Sequence, residues 1–268
     1  MRWPSIPAAL LTVALATSTL AAPTLPGINI RWDNCFSAGG VMNKAFACDT
    51  NTGSELAVLS LQLDTGMADA SGVEIRIAFK SAASELPAWW EFLNTGSCRI
   101  SSLRFVDFPT LPDGSCADWG QGLEVGGALA SYSLGEIGSG SAAGHMISCV
   151  LPSNLARLDP GTEYVVGGLT LSHAKTVGAG ACGGCDVPMC ILFSVLKVTT
   201  PVYTNDRLFT QGANGADSQI IHWQNGGLVN LVNQCSSPFT CDTQFDCLVA
   251  TSTAARHSTW GAVKALYR

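Results

Sequence analysis

Charge is scarce in this chain. Only 13% of its 268 residues are charged, and 14 Lys and Arg face 20 Asp and Glu, a formal net charge of -6. No Lys/Arg cluster occurs, which argues against a nucleic-acid or anionic-membrane partner. No Asn-x-Ser/Thr acceptor is present, which suits a bacterial envelope or extracellular protein. After the amino-terminal stretch no apolar run is long enough to span a bilayer, for which roughly 20 residues are needed. Catalytic signatures are also missing. There is no G-x-S-x-G elbow, and Gly138-Ser-Gly-Ser141 reads as a turn. His145, His173, His222 and His257 sit in four separate contexts without metal-ligand spacing. Glu85, Glu91, Glu124 and Glu136 could serve a glycosidase in pairs, but nothing in the sequence brings two of them together.

What is abundant is cysteine, glycine and apolar surface: 11 Cys, 28 Gly and 47% hydrophobic residues. That composition belongs to a packed protein and not to a disordered one. Met1 and Arg2 make a short positive start, Ile6–Leu20 an apolar stretch, and Thr19-Leu20-Ala21 places small residues where a signal peptidase reads. Cleavage after Ala21 is expected, leaving a secreted chain in the extracellular space, cell surface or periplasm. All eleven cysteines lie beyond that point, so the oxidising compartment makes them disulfide formers.

Cysteine connectivity is open to several readings. Short loops close most readily, which favours Cys35–Cys48 and Cys98–Cys116, with Cys185–Cys190 and Cys241–Cys247 as weaker local pairs. The odd count leaves one thiol unpaired or joined to another chain. Cys182-Gly-Gly-Cys185 could be a redox pair, half of a zinc site completed from Cys235, Cys241, Cys247 and His222, or part of a disulfide cluster. No helical pattern follows it and the spacing matches no standard zinc module. The structural disulfide reading leads.

Apolar alternation and β-branched runs recur between turn signals. Strands are expected at Ile28–Trp32, Glu55–Leu63, Gly72–Lys80, Arg99–Phe108, Gly122–Leu134, His145–Leu151, Glu163–Lys175, Cys190–Thr200 and Gln219–Gln224. In Val73-Glu-Ile-Arg-Ile-Ala-Phe-Lys80 the apolar residues alternate with polar ones, as in a strand with one wet face. The sum is an all-β, two-sheet sandwich of Greek-key or jelly-roll type, occupying 22–225. A cysteine-rich extension, 226–258, reads as a stapled loop crossing the sandwich surface. A short helix is expected near 84–92, and an amphipathic one over Thr259–Arg268, with Trp260, Val263 and Leu266 on one face. That last helix is either a clasp on the body or an address read by a sorting system.

Candidate sites are few. Trp89, Trp90 and Trp119, if exposed, could stack on sugar rings while Asp118 or Gln121 hydrogen-bonds hydroxyls; the opposing reading is that they plug the core, as the apolar neighbours Leu86 and Phe92 suggest. Asp49-Thr-Asn-Thr-Gly-Ser-Glu55 has the oxygen density of a calcium loop near Asp49 and Asn51, but not the spacing of an EF-hand. No other cofactor is indicated.

Ser172-His-Ala-Lys-Thr-Val-Gly-Ala-Gly-Ala-Cys-Gly-Gly-Cys185, running on through Val187-Pro-Met-Cys-Ile191, and the ending Trp260-Gly-Ala-Val-Lys-Ala-Leu-Tyr-Arg268 resemble an uncharacterised family of secreted, cysteine-rich bacterial proteins. The resemblance implies export and a cohesin-like sandwich, and it supplies no catalytic residues. Two roles follow as expectations: a non-catalytic structural or adhesive component of the cell surface or matrix, or an extracellular carbohydrate- or ligand-binding module. A secreted hydrolase ranks behind both.

Overall fold

In the computed structural model, the described residues are 27–112, 116–122, 129–149, 155–212, 215, 217–237 and 240–249. The expected leader over 1–21 and the tail helix over Thr259–Arg268 lie outside them.

The alternating runs become strands: β1 (Gly27–Trp32), β2 (Asn43–Lys44), β3 (Ser54–Gln62), β4 (Met67–Ala70), β5 (Gly72–Ser81), β6 (Leu103–Val106), β7 (Ala117–Asp118) and β8 (Leu129–Leu134). They continue with β9 (Ser141–Cys149), β10 (Ala156–Leu158), β11 (Glu163–Ser172), β12 (Met189–Thr199), β13 (Arg207–Phe209), β14 (Ile220–Trp223), β15 (Gly226–Ser237) and β16 (Thr240–Val249). One sheet runs β1-β3-β11-β6, with β7 parallel to the start of β11. The other runs β2-β14-β12-β5-β9-β8, with β13 on the far half of β12. The protein is therefore all-β, with its two main sheets face to face.

Pleat alternation explains the core. Ile28 and Ile30 of β1, Leu59 and Leu61 of β3 and Leu169 and Leu171 of β11 meet Ile75, Ile77 and Phe79 of β5 and Ile191 and Phe193 of β12 in one cluster. Each such side chain contributes roughly 1.5–3 kcal/mol by leaving water. Leu158-Asp-Pro-Gly161 turns the chain into β11, with Gly161 at φ 76° and its N–H on the Leu63 carbonyl at 2.9 Å.

The outer faces are not wet as the alternation in β5 suggested. The segment 226–249 is a long antiparallel hairpin, β15–β16, laid across the outside of the second sheet. Phe245 and Cys247 pack there on Ala78, Cys190, Leu192 and Ile220, and Cys190 is bonded to Cys247. The stapled extension expected over the sandwich surface is thus a third layer, and within it the chain forms paired strands. On the other sheet, the chain after β1 folds back so that Cys35 covers Val58 and Val165. Buried Glu163 accepts the Phe36 and Ser37 N–H groups at 3.0 and 2.8 Å and so caps that return.

Two expectations change in detail. The strand anticipated over Arg99–Phe108 is confined to Leu103–Val106, because Arg99 turns into the core instead of alternating. The helix near 84–92 is a single 3-10 turn, Ala88–Trp90, entered from Pro87 and left by an extended Glu91.

Candidate functional site

The disulfides staple distant segments of the sandwich to one another. They join Cys35 to Cys116, Cys48 to Cys185, Cys98 to Cys182 and Cys190 to Cys247, across 57 to 137 residues of sequence. The local pairs Cys35–Cys48, Cys98–Cys116 and Cys185–Cys190 are not formed, and Cys247 takes Cys190 in place of Cys241. Sheet geometry has already brought distant segments together, and that proximity outweighs loop length. Cys235 is also disulfide-bonded and stands opposite Cys241 in the hairpin register. Cys182-Gly-Gly-Cys185 is accordingly a double staple. Its two sulfurs reach different segments, and the Gly183 carbonyl accepts the Trp89 N–H at 3.0 Å.

What this staple grips is an aromatic cluster. Trp89 stacks on Trp223 with ring centroids 5.3 Å apart, and Trp90 meets Trp223 edge-on at 5.6 Å. Beneath Trp89 lies Arg99, its guanidinium carbon 3.4 Å from the ring centroid. Arg99 is almost wholly enclosed, and its fork donates to the main-chain carbonyls of Trp89 at 2.8 Å, Ala174 at 3.0 Å and Ser172. Burial pushes its pKa down to about 9. Beside it, His173 stacks on Phe46 at 3.9 Å, held between the Thr52 carbonyl at 2.7 Å and the Glu55 carboxylate at 3.0 Å. Lys44 closes this chain of charges with Glu55 and Asp33, each at 2.7 Å.

The tryptophans offer no face to a ligand. Trp89, Trp90 and Trp119 are 0% exposed, so the three indoles are core and no sugar can stack on them. Asp118 and Gln121 are turn-formers: the Asp118 carboxylate accepts the N–H groups of Gly120 and Gly122 at 3.0 and 3.1 Å. Gln121 donates to the Arg157 carbonyl. The Asn51 oxygen accepts the N–H groups of Thr176 and Val177 at 2.7 and 2.9 Å, and latches two loops instead of presenting itself to a cation. Among the described residues no three His, Cys, Asp or Glu converge in a way that could hold a metal ion.

The open site lies elsewhere, on the outer flank of the hairpin. A cleft of about 480 Å³ is lined by residues 242–246 of β16, Asn230 of β15, Glu136 and Ile137 in the turn between β8 and β9, and Lys80. Glu136 is held at 2.9 Å by buried Arg76, and His145 approaches it at 3.4 Å. Lys80 donates to the Ser139 carbonyl at 2.7 Å. Asp242 and Asp246 stand exposed in this lining, and among the described residues their carboxylates accept from the neutral donors Gln244 at 3.1 Å and Asn230 at 3.3 Å. The sequence carried no signal for this cleft, since Glu136 and Asp242 are far apart in the chain and neither belongs to a motif.

Comparison of the chain with protein-family models and with curated proteins finds no match.

Proposed function

We propose that this is an exported, non-catalytic structural or adhesive protein of the cell surface or matrix. The observation that carries the reading is the set of four disulfides, each tying together segments far apart in sequence. In the chain-entropy account, each bridge over loops this long stabilises by on the order of 4–5 kcal/mol. Such staples persist outside the reducing cytosol. They suit a body whose task is to keep its shape, and no helix among the described residues is long and apolar enough to cross a membrane. The test is fractionation of the expressing cell, followed by thiol alkylation without reduction and peptide mass mapping. The reading expects a chain beginning at Ala22 outside the cytosol with the four bridges intact; eleven alkylated thiols on the native material would end it.

A second reading, an extracellular ligand-binding module, is favoured by the cleft beside β16. A glycan and peptide screen in which nothing binds leaves the structural role standing alone.

A further inference from the structure

Five consecutive residues of one strand line the cleft. A strand turns successive side chains to opposite faces, so a cleft that takes in all five of 242–246 runs along the strand and its edge, with Asn230 of β15 also in its lining. That edge is open. β16 pairs with β15 on one side, and among the described residues no strand pairs with it on the other. An unpaired edge presents a row of N–H and C=O groups that another extended chain can complete. The opposite wall, formed by Glu136 and Ile137, keeps this edge inside a groove instead of leaving it on open surface.

Charge says what kind of chain would fit. Glu136 is neutralised by Arg76, and the Lys80 ammonium is turned to the Ser139 carbonyl. Asp242 and Asp246 have no cationic partner among the ion pairs of the described residues. They are four positions apart on one strand and share a pleat face, about 13 Å from one another at the usual rise per residue. Between them on that face lies Gln244, while Phe245 points inward onto Ala78 and Leu192 and fixes the strand against the sheet.

From this arrangement we infer that the groove is a β-augmentation site for an extended peptide segment of a partner protein, carrying Lys or Arg at two positions four residues apart. The partner's backbone completes the ladder on the free edge of β16. Its two cations meet Asp242 and Asp246, and the intervening residue on the same face passes Gln244. The inference deepens the adhesive reading, since it names the chemistry of the contact, and it rests on that reading only in taking the occupant to be another polypeptide.

The experiment uses the full-length secreted protein, isotopically labelled, and three synthetic heptapeptides. One has Lys at positions 2 and 6, the second has Lys at positions 2 and 5, and the third is the first with alternate backbone amides methylated. The first peptide should shift the amide resonances of 242–246 to saturation. The second places its cations on opposite faces and should bind about tenfold more weakly; the third cannot donate along the ladder and should not bind. Asp242→Asn with Asp246→Asn should weaken the first peptide about tenfold, as should raising salt from 50 to 500 mM, the loss expected for exposed ion pairs. Gln244→Lys, which exchanges the neutral donor on Asp242 for a cation, should weaken it as well, and this guards against a double variant that misfolds. Equal binding of the first two peptides, insensitivity to the substitutions, or shifts on another face would overturn the inference. An oligosaccharide that shifts the same amides where no peptide does would also overturn it. Binding by purified protein is independent of where the cell places it, so failure here leaves the export reading intact, and failure of export leaves the groove intact.

Discussion

The guanidinium of Arg99 lies flat against the ring of Trp89 and donates to the carbonyl of that same residue at 2.8 Å. One side chain thus packs as an aromatic's partner and caps the main chain of the short 3-10 turn, while its other N–H groups reach Ala174 and Ser172 at the end of β11. A planar, multidonor cation is the only side chain that can do both. Arg99→Ala should take the donor from one buried and two part-buried carbonyls and leave a void over Trp89, destabilising by roughly 3–5 kcal/mol. Arg99→Lys should recover less than half of that. Chemical denaturation of the oxidised protein checks both, and a Lys variant as stable as the wild type would remove the fork argument.

Gly183 and Gly184 should respond very differently to substitution. Gly184 has φ 99°, and a Cβ there would collide with Pro87; a Cβ on Gly183 meets nothing within 4 Å. Gly184→Ala should lower stability by at least about 2 kcal/mol and impair formation of the Cys98–Cys182 and Cys48–Cys185 bridges, whereas Gly183→Ala should be neutral within about 0.5 kcal/mol. Free-thiol counts and melting temperatures on the oxidised variants distinguish the two.

Removing the bridge that pins the hairpin should act locally. Cys190→Ala with Cys247→Ala should cost about 4 kcal/mol on the chain-entropy account. Limited proteolysis should then cut first within 226–249, leaving the two main sheets resistant. The remaining grip is modest: Phe245 and Leu231 on the sheet, with Asn233 donating to the Ser194 and Thr210 carbonyls at 2.6 and 3.1 Å. Simultaneous loss of the sandwich and the hairpin would show that they are one cooperative unit.

Acid should unsettle the protein through His222. Burial lowers its pKa, with Arg31 adding to the effect and Asp217 opposing it. The folded state therefore binds this proton less readily than the unfolded chain does, so stability falls as pH drops below about 6.5 and on through the lowered folded value. His222→Gln should flatten the slope of unfolding free energy between pH 7 and 5. An unchanged slope would assign the acid sensitivity to other groups.

The parts that were legible in the sequence are those written in local periodicity. In β5, Val73, Ile75, Ile77 and Phe79 face the core because two-residue alternation is a property of the strand itself. The boundaries of β11 and β12 follow from the same pattern and from the turn at Gly161. The cysteine pairs were not legible for an energetic reason. Doubling a loop changes its closure entropy by only about 0.6 kcal/mol, so nearness in sequence is a weak guide once the sheets have placed Cys48 beside Cys185. The hairpin escaped notice because a layer added outside a sheet needs only a narrow apolar stripe; Phe245 and Leu231 are spaced among polar residues. That the tryptophans of 89–90 are core was legible in their apolar neighbours Leu86 and Phe92; Arg99, a lone cation after Cys98 that packs on Trp89, was not, because no sequence rule connects those two places.

Crossed connectivity bears on biogenesis. Cys35 and Cys48 emerge close together from any chain threaded amino terminus first, yet their partners, Cys116 and Cys185, come much later, and the Cys35–Cys116 link straddles one end of both Cys48–Cys185 and Cys98–Cys182. Oxidation that precedes sheet formation would capture the wrong neighbours, and the native set would then be reached by thiolate attack that reshuffles them. A host able to make bridges but not to rearrange them should accumulate scrambled isomers in proportion to how quickly it oxidises the nascent chain.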